Sequence, residues 1–398
     1  MQDEEKLDKI LEKFYVRFNK YNTKVLEELG NTIKLFDGLT PSEAHKLGQE
    51  LKYNNNVNAL LNELSMISGK SIQDINTLLD EVAKENVGFA EAYGEVKNFE
   101  KSKRIKRYVD TIKNETNSTF KDLSKSKNIG FSYKDKNGKM IFKPFKRVYT
   151  DLIDEAVYNV SSGVFDYQSA MRNTIKQLAD SGIKIHRDKT TYETGYARRI
   201  DSSVRQAVLT GVRKINLGVQ QMVGEEFGAD GLEISAHFLC ADDHLDIQGQ
   251  QYKAKKGETL EQLMDRINSN LDRPIGELNC KHFAFSIIVG VNLPAYTKKQ
   301  LKEYREYSQE KIKYNGKEYT RYEASQVQRR LETEIRKQKD RQIMAKASGN
   351  SDEISSSQQK ISQLTKEYNK FSKNADLKAY KDRLSVSGYH RLKSYDKS

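Results

Sequence analysis

The chain has no tryptophan, four prolines and two cysteines in 398 residues. Two cysteines cannot form the disulfide framework of a small secreted scaffold, which points to a reducing origin and a fold held by packing. With so few prolines, helix breakers are rare and long helices are the expectation. No apolar run reaches the roughly 20 residues that span a bilayer. The opening MQDEEKLDKI is acidic and lacks the basic-then-apolar pattern of a secretory signal. These absences predict a soluble protein assembled in the cytoplasm, with no membrane partner. A phosphate-binding glycine loop and a dinucleotide fingerprint are also missing.

What is present is charge. Charged residues make up 31% of the chain against 36% apolar, a lean composition suited to helices with wide solvated faces. The net charge of +12 is unevenly placed. Residues 101–147 carry 15 Lys/Arg against 4 Asp/Glu, and residues 298–398 carry 25 against 14, so the remainder is net acidic. Basic blocks of this kind suit polyanions or acidic protein surfaces, and they equally suit plain solvated helix faces.

The length allows two or three domains. The first hundred residues read as helices. Thr40, Pro41 and Glu43 form a capping box with proline at the first helical position. Leu60, Leu61, Leu64 and Ile67, then Ile72, Ile75, Leu78, Leu79 and Val82, recur at helical spacing. Residues 101–130, rich in lysine, serine and asparagine, read as a linker or an exposed basic arm. A hairpin follows, with Phe131 and Tyr133 facing Met140 and Phe142 across Asn137-Gly138.

Helix returns from about 150. One segment runs over Tyr167–Leu178. A long one carries Ile200, Val204, Val208, Val212, Ile215, Val219, Met222 and Val223 on one stripe and stops at Gly228 and Gly231. After Pro294, Thr297 and Gln300 cap a helix, IKYNGKEYT forms a second Asn-Gly hairpin, and a charged helix runs from about Tyr322 to Ala347. A serine-rich break is expected at 348–358 before the last helix and a basic tail. The fold class is therefore mainly α, with helical N- and C-terminal regions flanking a small α+β module with short hairpins. The predicted organisation is a helical region at 1–130, the α+β module at 131–297 and a basic helical region at 298–398.

Chemistry is concentrated in one place. Both cysteines and three of the six histidines lie between His237 and His282. His237, Cys240, Asp243, His244, Cys280 and His282 offer more donors than the four that tetrahedral zinc takes, although neither end has a two-cysteine knuckle. The alternative for the three histidines is ordinary hydrogen bonding. Asp243-His244 followed by an asparagine and His282 superficially resembles the HNH nucleases, but the spacing is wrong. Cys280 with His244 or His282 would supply a nucleophile and base, without an evident orienting acid or oxyanion nest. Tyr304, Tyr307, Tyr314, Tyr319 and Tyr322, interleaved with basic residues, suit nucleic acid or protein contact, and helix packing is the plainer role.

The runs ISAHFLCADDHLDIQGQQY and NCKHFAFSIIVGVNLPAYTKKQL resemble the phage minor capsid protein 2 family, related to the MuF-type head-morphogenesis proteins. The shared signature is Ser235, His237, Asp243, His244, Gln248, Gly249, Tyr252, Asn279, Cys280 and His282, with Gly290 and Pro294-Ala295-Tyr296 following. The helix TGYARRIDSSVRQAVLTGVRKI and the stretch YNGKEYTRYEASQVQRRLETEIRKQKDR fit as well, so coverage is good over roughly 165–390. The chain departs from the pattern at Cys240, where a small residue is usual, at Ala241 for arginine and at Ile247 for an aromatic, which sets Cys240 outside a shared ligand set. A zinc site would then draw on His237, Asp243, His244, Cys280 and His282. The same five could form a buried polar network fixing two loops together, and that network, with no cofactor, is the preferred reading.

The resemblance implies a non-enzymatic structural protein of a tailed-phage virion, in the capsid interior or near the portal. Its expected partners are the portal protein, the major capsid protein or both. Packaged double-stranded DNA is a further expected contact. The rival from another class is a metal-dependent nuclease built on His244, Cys280 and His282.

Overall fold

In a computed structural model the chain is described over residues 4–53, 56–93, 102–135, 137–163, 166–187, 196–276, 280 and 282–390. The elements run in the order α1 (Glu4–Lys34), α2 (Pro41–Tyr53), α3 (Asn56–Tyr93), α4 (Lys103–Leu123), β1 (Ile129–Lys134), β2 (Met140–Pro144), α5 (Phe145–Ser161) and α6 (Tyr167–Ser181). They continue with β3 (Lys184–Arg187), β4 (Tyr196–Arg199), α7 (Ile200–Glu226), β5 (Gly231–Ile234), β6 (Gln251–Lys253), α8 (Leu260–Asn268) and β7 (Ala284–Ile287). The last are α9 (Lys298–Gln309), β8 (Lys311–Tyr314), β9 (Lys317–Thr320), α10 (Arg321–Ser348) and α11 (Ser351–Asn374). The protein is mainly helical, as its shortage of breakers predicts. Among the described residues no helix is long and apolar enough to cross a membrane.

Two compact units emerge, each assembled from separated stretches: one from residues 1–7, 71–118 and 206–327, the other from 8–70, 119–205 and 328–398. The strands expected in one module fall in two sheets, with one in each unit, and the β8–β9 hairpin stands apart from both.

The unit assembled from 8–70, 119–205 and 328–398 contains the antiparallel sheet β2-β1-β3-β4. Its β1–β2 hairpin turns at Asn137-Gly138, where Asp135 Oδ1 accepts the backbone N–H groups of Asn137 and Lys139, both at 2.9 Å, and Gly138 takes φ +77°. Phe131 of β1 packs on Phe145 of α5, with ring centroids 5.8 Å apart. The capping box at α2 forms as expected, Thr40 N–H donating to Glu43 Oε2 at 2.8 Å. Tyr368 of α11 is fully buried against Ile335 of α10 and Leu384.

The serine-rich break is much shorter than expected. Helix α10 ends at Gly349, φ +78°, and Asn350 Oδ1 caps α11 by accepting from Glu353 N–H at 2.9 Å. Residues 351–358 are helical because Asp352 and Glu353 favour a helix start and Ser357 Oγ donates to the Glu353 carbonyl at 2.6 Å rather than competing with the helix.

In the other unit, the expected linker or arm is in large part helix α4. Its lysines and arginines occupy the solvent side, while Ile105, Val109 and Ile112 form a buried stripe at i, i+4 and i+7. Gly211 and Gly218 of α7 admit α4 at close range: a Cβ at Gly218 would lie 2.3 Å from the Tyr108 ring, and one at Gly211 2.4 Å from Thr116 Oγ1. Tyr108 Oη then donates to the Lys214 carbonyl at 2.9 Å. The expected α7 stripe is buried from Ile200 to Val223.

The same unit holds the antiparallel sheet β6-β5-β7. Thr259 and Gln262 make a reciprocal capping box at the start of α8. Leu260, Leu263, Met264 and Ile267 of that helix pack with Leu232 and Ile234 of β5, Ile275 and Ala284 into one core. This core is the platform for the site, one segment of which follows Ile234 and the other of which leads into Ala284.

Candidate functional site

Two irregular segments meet beside the β6-β5-β7 sheet. The first, 235–249, follows β5; the second, at 280 and 282–283, leads into β7. Ser235 ties them, since its N–H donates to the Phe283 carbonyl and its Oγ accepts the Phe283 N–H, both at 2.8 Å. The first segment then turns tightly. Leu239 sits at φ +60°, a region that costs a non-glycine residue about 1–2 kcal/mol, and a short 3-10 turn at Asp242–His244 follows. Gly249 closes it at φ +69°, its N–H donating to the Ile234 carbonyl at 2.8 Å.

Three buried donor atoms converge where the segments meet. Nδ1 of His244 and Nδ1 of His282 are 3.2 Å apart, and Cys280 Sγ lies 3.4 Å from each. His244 and His282 are each 2% exposed and Cys280 is 6% exposed. The alternation of Cys280 and His282 brings both to one side, although the strand itself starts later, at Ala284.

The electrostatics follow from this packing. Burial, reinforced by His237 and His244, pushes His282 down to about 2, so its ring is neutral. Burial also acts to raise the Cys280 thiol, but its contact with His244 and the N–H groups of Gly276 and His282 outweigh it and the net shift is downward. His244 shifts upward, because Cys280 and the Arg273 carbonyl outweigh its burial. Cys240, buried near Cys280 and Asp243, is pushed up to about 12 and stays a thiol.

The remaining signature residues take supporting places. His237 lies over the His282 ring at 4.2 Å between centroids, and its Nδ1 is 2.6 Å from the Phe238 carbonyl, so it is beside the converging atoms rather than among them. Asp243 is held by a forked contact from Arg273, which keeps its carboxyl below the ordinary range against the opposing effect of burial. Gln248 Oε1 accepts from His237 N–H at 3.3 Å and faces His282 Nε2 at 3.4 Å. Tyr252 stands in β6 opposite Leu232 and packs on the α8 core. Asn279 lies outside the described residues.

Cys240 is close but separate, its Sγ 3.6 Å from His282 Nε2, on the far side of that ring from Cys280. Three residues were not legible from spacing. Arg273 grips Asp243 and offers its carbonyl to His244 Nε2 at 2.8 Å; Arg213 donates to the Cys280 carbonyl; Ser308 Oγ accepts from Cys240 N–H at 3.3 Å. Three of the tyrosines contact neighbouring side chains: Tyr304 and Tyr307 meet Phe238 edge-on, Arg321 stacks on Tyr307 at 4.2 Å, and Tyr322 Oη accepts from Arg273.

Chemically, His244, Cys280 and His282 are the described residues able to hold a metal together. Asp243, 3.6 Å from His244 Nε2, is engaged by Arg273.

The family model for phage minor capsid protein 2 matches residues 3–373, so the likeness reaches well beyond the cysteine–histidine segments into the helical N-terminal region. No curated protein and no solved structure matches the chain. With nearly the whole chain matched, the protein belongs to the phage minor capsid protein 2 family, structural proteins of the bacteriophage virion.

Proposed function

We propose that this virion protein is associated with the portal or the inner capsid surface of a tailed phage, takes part in head assembly without catalysing a reaction, and touches the packaged DNA. The observation that carries the reading is the family match across 3–373. The surfaces agree with it. In the unit containing β1 and β2, Lys121, Lys127, Lys134, Lys139 and Lys146 are exposed along the hairpin and its flanks, a layout that suits phosphate contacts. In the unit containing the site, the 288–293 turn exposes Ile288, Val291 and Leu293, the last at 88%. Exposed apolar groups gathered on one turn suit a protein partner.

A structural role also fits the cluster. Its three donors are buried, its acid is neutralised by arginine, and its segments are tied to a packed sheet. Such a site fixes two loops in register, as a buried polar network does.

Lysine-reactive crosslinking and mass spectrometry of purified virions tests the assignment. The expected result is this chain in the particle, with crosslinks to portal or major capsid protein. Its absence from DNA-filled particles would refute the proposal.

A further inference from the structure

We infer that His244, Cys280 and His282 form a zinc(II) site that fastens the 235–249 segment to the segment leading into β7. The inference goes beyond the virion role and stands or falls independently of it.

The first ground is shape. Tetrahedral zinc with bonds of about 2.0–2.1 Å to nitrogen and about 2.3 Å to sulfur has ligand–ligand edges of about 3.3 Å for N···N and about 3.6 Å for N···S. The edges here are 3.2 Å for the nitrogens and 3.4 Å for each nitrogen to Cys280 Sγ, within about 0.2 Å of one face of that tetrahedron.

The second ground is the count of hydrogens. His244 Nε2 faces the Arg273 carbonyl at 2.8 Å, an acceptor only, so the hydrogen of the neutral ring is on Nε2 and Nδ1 presents a lone pair. His282 Nε2 faces Gln248 Oε1, which is fixed as an acceptor by the His237 N–H. It also faces Cys240, whose own thiol hydrogen goes to the Ala241 carbonyl at 3.3 Å. The His282 hydrogen is therefore on Nε2 too, and a second Nδ1 lone pair points inward. Two lone pairs and a sulfur thus share a single thiol hydrogen among side chains that are 2–6% exposed, one hydrogen for two nitrogens. A zinc ion replaces that hydrogen: the thiol proton leaves to solvent and the metal accepts three lone pairs.

The third ground is the surrounding shell. A ligating histidine usually donates its other N–H to a carbonyl or a side-chain oxygen, which fixes its tautomer and aim. Both rings do so here. The donor set, two imidazoles and one thiolate, selects a borderline-soft ion and excludes magnesium and calcium, which take oxygen. Cys240 and Asp243 do not complete the set, being turned to Ala241 and Arg273, so the described residues supply three of the four positions.

Full-length protein expressed with zinc, dialysed against metal-free buffer and measured by elemental mass spectrometry should carry stoichiometric zinc. Cys240→Ser should retain it and Cys280→Ser should lose most of it. Cobalt(II) exchanged into the wild type should show the intense visible bands of a tetrahedral ion and a thiolate charge-transfer band, a readout that needs no variant to fold. Wild-type protein with native helical circular dichroism but no stoichiometric metal and no such cobalt spectrum would overturn the inference. So would a Cys280→Ser variant that kept full zinc and the thiolate band.

Discussion

Arg273 grips Asp243 through two guanidinium nitrogens, and by the same residue's backbone carbonyl it orients His244. One loop residue thus neutralises the neighbouring acid and aims a ring of the cluster. Both side chains are partly buried, at 29% and 16% exposure, so the pair is screened less than a surface bridge. A double-mutant cycle with Asp243→Asn and Arg273→Met, read by urea unfolding, should give a coupling energy of about 1–2 kcal/mol. A value near zero would show that the contact is incidental.

Gly249 carries two constraints together. Its φ of +69° disfavours any side chain, and a Cβ there would lie 2.3 Å from Leu301 Cδ2. Gly249→Ala should therefore destabilise the protein by about 2 kcal/mol or more, from backbone strain and overpacking together. Thermal unfolding checks this, and a variant as stable as the wild type would contradict it.

The second unit has its own buried charge. Arg199 bridges Asp340 at 2.7 Å and Asp201 at 3.3 Å, and the two carboxylates are 0% and 3% exposed. Arg199→Met would leave both acids buried without their cation, at a cost of about 3–5 kcal/mol. Replacing all three by apolar residues should recover much of the loss, because the desolvation penalty disappears with the charges. Denaturant midpoints of the single and triple variants test both statements.

Glu332 gives a pH signature. Burial raises its carboxyl more than Arg383, the Tyr368 hydroxyl and Arg336 lower it. Its folded value thus lies above the unfolded one, so the folded protein holds an extra proton in that window and stability falls as pH rises through it. Glu332→Gln keeps an acceptor for Tyr368, 3.2 Å away in the wild type, without the charge. The variant should match the wild type near pH 4 and exceed it near pH 7. Lower stability of the variant near pH 7 would contradict the sign.

Much of this was readable in the sequence, and the failures have identifiable causes. Capping residues act locally, so Thr40/Glu43 and Thr297/Gln300 mark helix starts whatever packs on them. Asn-Gly turns are equally local, and Asn315 and Gly316 both adopt positive φ. Helix α4 was obscured because lysines and polar residues outnumber its few stripe positions, and burial depends on distant glycines in α7. The cluster residues were found because cysteine and histidine are scarce. Arg273, Arg213 and Ser308 were not, because residues holding a site from outside obey no spacing rule.

We propose that the His244–Cys280–His282 cluster fastens two loops of a virion protein and carries no catalysis. DNA cleavage assayed with supercoiled DNA, the zinc-loaded full chain and added divalent ions, comparing wild type with His244→Ala, tests it most directly. The account predicts no cleavage by either protein above a no-enzyme control. Cleavage by the wild type that disappears in His244→Ala would contradict it.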